Sequence, residues 1–212
     1  MTAPTNLPII RFSTSWELYE KIIRNIYRYP DDSVDLEKED SNAKRMISDW
    51  LNYEDEVVRG ICSITGLEFR KNIIDICIAP KVISTSRPII IGVDGYDRRF
   101  VDEVMFQLII QLLMDNTSIP YTYDVIEDWI DIFSDSLYED EAYFVPAFAL
   151  LKALCLDILN EPDRLVRITK RCGGLFRGDE KVAWEYVDTH DYKEIINTLQ
   201  RLYQAIEEEY DF

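Results

Sequence analysis

Histidine is almost missing from this sequence: His190, in "VDTHDYKE", is the sole one in 212 residues. A histidine-rich metal centre is thereby excluded, and imidazole-based catalysis has one residue to draw on, with no nucleophile or second ligand beside it. A Ser-His-Asp triad can assemble from distant positions, but nothing resembling GxSxG supports one. Zinc-type cysteine spacing is also missing. Cys62, Cys77, Cys155 and Cys172 form no CxxC pair, so four reduced thiols, mostly in the core, are expected. No DxDxDG loop offers a calcium site. With seven Gly and eight Pro, the composition is that of a globular chain and not of a low-complexity one.

Long hydrophobic runs are lacking too. The longest, residues 104–114, contains Gln107 and Gln111 and is too short to cross a hydrocarbon core of about 30 Å as a helix. No charged segment followed by an apolar one opens the chain. The expectation is a soluble, cytoplasmic protein that does not engage a membrane. Basic residues are outnumbered as well, 23 against 40 acidic ones, for a net charge of -17. Such a field repels phosphate backbones, so nucleic acid is not an expected partner. A basic protein partner, or a role as an acidic inhibitor or nucleic-acid mimic, is compatible with it; so is a charge that serves solubility alone.

What is present is hydrophobic periodicity. "LPIIRFST" reads as a strand, "WELYEKIIRNIYRYP" as an amphipathic helix closed by Pro30, and Asp31 to Asp40 as a solvated loop. A second long helix follows, with Met46, Ile47, Trp50, Val57, Val58, Ile61 and Ile64 as its stripe and Gly66 as its stop. "NIIDICIAP" and "RPIIIGVDGYD" are strands separated by a turn-like "KVISTS". Asp97 is placed to cap a helix running to about Asp115. Helical patterns then recur from Tyr123, from Pro146, and three times in the last third, with "CGGLFRG" as a turn. The fold class is α+β, helix-dominated, with a small sheet of three or more strands, in one globular domain over 1–212.

The order "ITGLEFRKNIIDICIAP", "SRPIIIGVDGYDRRFVDEVMFQLIIQLLMDN", "YFVPAFALLKALCLDILNEPDRL", "AWEYVDTHDYKEII" resembles a group of uncharacterised bacterial and archaeal zincin-like metallopeptidases. There a two-strand segment feeds a helix carrying HExxH, and a later helix begins with an HVxxHA-like pattern. The resemblance covers most of Ile64 to Ile196. It implies a zincin-like core over about 64–160 with a helical C-terminal part over about 161–212. In such sites two histidines one turn apart hold zinc and the glutamate between them activates water. Laid on this chain, those roles fall on Phe106, Gln107 and Ile110, with the later histidines at Phe144 and Phe148. Phenylalanine and isoleucine have no lone pair for a metal, and glutamine has no basic carboxylate.

The resemblance therefore implies vestigial metal-site positions, no retained catalytic residue and no cofactor. The function expected is that of an inactive zincin-like protein acting as a binding or scaffold module for a protein or peptide. A natural pseudoenzyme and a metal-free redesign fit equally. Besides the acidic inhibitor or nucleic-acid mimic that the charge allows, two readings compete with it. In one, residues 104–114 are an ordinary core helix whose two glutamines, a turn apart, need hydrogen-bond partners. In the other, Asp94, Asp97, Asp102 and Glu103, close to one helix start, form the acidic site of a carboxylate-based hydrolase. Capping and helix-dipole complementarity explain the same carboxylates without a site.

Overall fold

Alternating β-branched residues assemble into a four-stranded mixed sheet in the computed structural model, which describes residues 7–14, 35–80, 82, 84–93, 95–117, 124–133, 137–171 and 179–210. The helix expected over 15–30, the 172–178 turn, Cys172 and Asp94 lie outside the described residues. The elements are predominantly helical, so the molecule is a helix-dominated α+β protein. No helix among the described residues is long and apolar enough to cross a membrane. The chain divides into two compact units, Pro8–Asp55 with Lys71–Gln107, and Met1–Leu7 with Glu56–Arg70 and Leu108–Phe212.

The first unit holds the sheet. Strands β1 (Ile9–Ser13), β2 (Ile73–Pro80), β3 (Thr85–Ser86) and β4 (Ile89–Val93) lie in the order β1-β2-β4-β3. The first three neighbours run parallel, and β3 is antiparallel to β4. Period two puts Ile10, Ile74, Ile76, Ile78, Ile89, Ile91 and Val93 on one buried face. Phe12, on that face, meets Trp50 edge-on at 6.5 Å and Phe100 at 5.7 Å. On the opposite face Arg11 pairs with Asp75, its register partner; both are exposed, and such a pair stabilises little.

The acidic loop expected up to Asp40 is shorter than the sequence suggested. Asp35 caps the helix α1 (Leu36–Leu51), its Oδ1 accepting from Lys38 N–H at 3.1 Å. The single long helix expected next is also two. It breaks at Asn52, whose side-chain amide donates to the Ser48 and Asp49 carbonyls at 3.2 and 3.3 Å, and helix α2 (Glu54–Thr65) starts afresh. Those bonds satisfy carbonyls the helix end leaves without partners, which is why no glycine or proline was needed to stop it.

"KVISTS" is more than a turn. After β2 the chain crosses over β4 to place β3 on its far side, and the crossing lies directly on Gly92, whose N–H donates to Ser84 Oγ at 3.0 Å. A Cβ at Gly92 would stand 1.8 Å from the Val82 carbonyl oxygen.

Helix α3 (Phe100–Met114) begins in the first unit and ends in the second. The second unit continues with α4 (Asp124–Phe133), the single turn α5 (Glu139–Ala142), α6 (Val145–Ala153), a π-helical turn over Leu154–Ile158, α7 (Pro162–Arg171), α8 (Asp179–Thr189) and α9 (Tyr192–Tyr210). Pro146 sits in the first turn of α6, where its missing N–H is harmless. Two residues of α9 a turn apart serve the ends of two other helices: Gln200 Nε2 donates to Ile64 O at 2.7 Å and Tyr203 Oη to Leu113 O at 2.8 Å. These satisfy C-terminal carbonyls of α2 and α3, and burial pushes the Tyr203 phenol well above its usual range. Cys62, Cys77 and Cys155 are thiols, the first and last buried.

Candidate functional site

Residues 100–114 become a helix because apolar side chains dominate and no proline intervenes, and its start is organised by Asp97. The Asp97 Oδ1 accepts from Arg99 N–H at 2.8 Å while its carbonyl accepts from Phe100 N–H at 3.1 Å. The side chain of Asp97 thus closes the turn that leads into the helix; the cap position itself is Arg99, whose carbonyl accepts from Glu103 N–H at 2.9 Å, so the capping expected of Asp97 falls two residues early. The Asp97 carboxylate also holds the Arg99 guanidinium, which raises the Arg99 pKa.

The two glutamines both have partners. Gln107 is 5% exposed; its Oε1 accepts from Ser86 Oγ at 2.6 Å and its Nε2 donates to Glu103 Oε1 at 3.0 Å. Gln111 Nε2 donates to Asp115 Oδ2 at 3.2 Å, one turn on and just past the end of the helix. Phe106 and Ile110, at the positions the resemblance assigns to two zinc-binding histidines, are buried a turn apart. Phe144 is the half-buried residue preceding α6, and Phe148 is fully buried within it. Their rings lie 6.3 Å apart, with Phe144 edge-on to Tyr143 at 4.9 Å and Phe148 edge-on to Trp184 at 6.0 Å.

Glu103 is the most chemically distinctive side chain here. Ser84 Oγ accepts from the Gly92 N–H and its hydroxyl donates a hydrogen bond to the Glu103 carboxylate, so the carboxylate is met by Ser84 and Gln107 together. Burial of the carboxyl pushes its pKa above the ordinary 4.5, while the two hydrogen bonds and Arg99 oppose the shift and Asp97 adds to it. Sequence reasoning missed Ser84 and Ser86, which read as turn residues. No local signal marks them, because their partners enter through the crossing over β4.

A stability measurement checks this site. The folded state binds the Glu103 proton more tightly than the unfolded chain does, so the stability attached to this group is greatest in acid. It falls as pH rises from about 4.5 through the folded pKa. Comparing Glu103→Gln with wild type by urea unfolding between pH 4.5 and 7.5 isolates this residue from other carboxylates. The difference should move in favour of the variant as pH rises, by at most about 1.4 kcal/mol per pH unit. A pH-independent difference would remove Glu103 as a buried titrating group.

Of the proposed acidic set, Asp97 and Glu103 share the neighbourhood of Arg99, and Asp102 is a half-buried residue on the first turn of α3. Among the described residues no group of three or more His, Cys, Asp or Glu is arranged to hold a metal ion. Zinc does not fit the residues at the HExxH-like positions either. Phe106, Ile110, Phe144 and Phe148 offer no donor atom, and both ends of the Gln107 amide are engaged within the protein.

Elsewhere, His190 is exposed, stacked on Tyr186 at 3.9 Å with its Nδ1 2.8 Å from the Tyr186 carbonyl, as a residue closing the end of α8. Burial pushes the Cys62 thiol up to about 11, which leaves little thiolate for nucleophilic chemistry. Compared with models of protein families, with curated proteins and with solved structures, the chain shows no match.

Proposed function

We propose that this protein is a non-catalytic binding module, a zincin-like scaffold whose metal-site positions have been rebuilt as interior. The observation that carries the reading is the double engagement of Gln107. Where a general base would stand, a neutral amide bridges Ser86 of the edge strand and Glu103 of its own helix, between the buried Phe106 and Ile110. A side chain held at both ends in this way fixes structure and has no basic atom to offer water. Two further features support the scaffold: paired strands that lead into α3, and a later helix that starts beside Phe144. The partner is a protein or peptide, and the -17 charge selects a basic one.

The test is metal content and peptidase activity of the purified chain. We expect no stoichiometric zinc and no chelator-sensitive hydrolysis; either would overturn the reading. The residue assignment has its own test, Phe106→His, Gln107→Glu, Ile110→His and Phe144→His combined. A folded quadruple variant, checked by circular dichroism, should gain zinc binding. If it folds and binds none, the zincin-like assignment of these positions is wrong.

A further inference from the structure

The acidity of this chain is unevenly placed. Residues 100–151 contain eleven Asp or Glu and no Lys or Arg, so most of the net charge of -17 originates there. Within that stretch α4 turns a face outward on which Glu127, Asp128 and Asp131 are all exposed, at helical spacings of three and four. Next to Asp131 in the helix, Ile132 is 43% exposed; Tyr138, which follows α4 in the chain and precedes α5, is 83% exposed. By contrast the acids of α1 alternate with Lys38, Lys44 and Arg45, and Lys44 pairs with Asp40.

This face weakens its own helix. Like charges at i,i+3 and i,i+4 destabilise a helix by about 0.2–0.5 kcal/mol per pair. Asp131 also lies in the last turn, near the negative end of the helix dipole, and that turn carries no basic residue. The inner side is held by two rings: Trp129, 2% exposed, packs edge-on against Tyr143 at 6.1 Å, and Phe133, 7% exposed, against Tyr186 at 6.4 Å, while the Trp129 indole N–H has no hydrogen-bond partner among the described residues. A cationic surface laid on α4 would relieve the repulsion, and apolar side chains among its charges would cover Ile132 and Tyr138.

We propose that the outer face of α4, with Ile132 and Tyr138, docks a lysine- and arginine-rich segment of a partner protein that carries interspersed apolar side chains. This rests on the binding-module reading above and supplies its surface. Nucleic acid and anionic membranes are repelled by the same charge.

The experiment uses the full chain at physiological salt and two fluorescent peptides of equal positive charge, one alternating lysine with leucine and one of lysine alone. Binding is followed by anisotropy. The Lys/Leu peptide should bind more tightly than the all-lysine one. Glu127→Lys, Asp128→Lys and Asp131→Lys together should weaken it at least tenfold. Glu56→Lys, Glu194→Lys and Glu208→Lys together, with the same change in net charge at other exposed acids, should change it less than threefold. Ile132→Ser with Tyr138→Ser should abolish the preference for leucine without altering all-lysine binding. Equal weakening by the two lysine triples would overturn the surface and leave the binding-module reading standing. Absence of binding by the wild type would overturn the basic partner, whereas the non-catalytic assignment answers to the zinc and peptidase measurements alone.

Discussion

Gly92→Ala should unfold the first unit or destabilise it by about 3 kcal/mol or more, the upper range for forcing atoms into a packed interior. The added methyl would stand 1.8 Å from the Val82 carbonyl oxygen, 2.8 Å from its carbon and 3.4 Å from Ser84 N. These are backbone atoms, so no rotamer change relieves the overlap. Either the crossing lifts or β4 shifts. If it lifts, the Gly92 N–H loses Ser84, and Glu103 loses one of the two groups that meet its charge. Gly66→Ala is the useful control. Gly66 has φ +74 with nothing within 4 Å of the added Cβ, so its penalty is conformational alone, about 1 kcal/mol. Urea unfolding of both variants separates the two mechanisms. A Gly92→Ala protein within 1 kcal/mol of wild type would mean that the chain does not cross β4 at this residue.

The contrast between those two glycines shows what the sequence could reveal. Gly66 follows an apolar helical stripe, and its role as a stop was legible from position. Gly92 sits inside "IIIGV", where local pattern marks a weak point in a strand and nothing indicates a second chain segment lying on it. The same division runs through the fold. Strands β1, β2 and β4 and most helices were readable because their periodicity is local. The break at Asn52 and the two-residue β3 were not, because side-chain bonds and tertiary pairing create them, and no local pattern marks the π-helical turn after Ala153. That the glutamines of α3 need partners is legible from their place in an apolar helix. Ser86, 21 positions from Gln107, could be named only from the structure, and the same holds for Gln200 and Tyr203, which reach 136 and 90 residues back to the ends of α2 and α3.

Phe148→Ala should destabilise the second unit by about 3–5 kcal/mol, and the size of that loss reports how freely its surroundings can close on the cavity. Phe148 is 0% exposed, with its ring against Phe144 and Trp184, and it lies in a helix whose every residue but Lys152 is buried. Removing the ring deletes burial and leaves a cavity that so enclosed a helix has little freedom to close. Phe144, half-buried at the helix entrance, should lose less than half as much when truncated. A Phe148→Ala variant within 1 kcal/mol of wild type would show that the surroundings collapse around the lost ring. A full loss places Phe148 in the framework itself. In that case histidine at 148 would substitute a polar, smaller ring for packing the unit depends on, and Phe144 is the ring of this pair whose replacement leaves the fold intact. The ratio of the two alanine penalties thus separates the ring that is framework from the ring that lies at its edge.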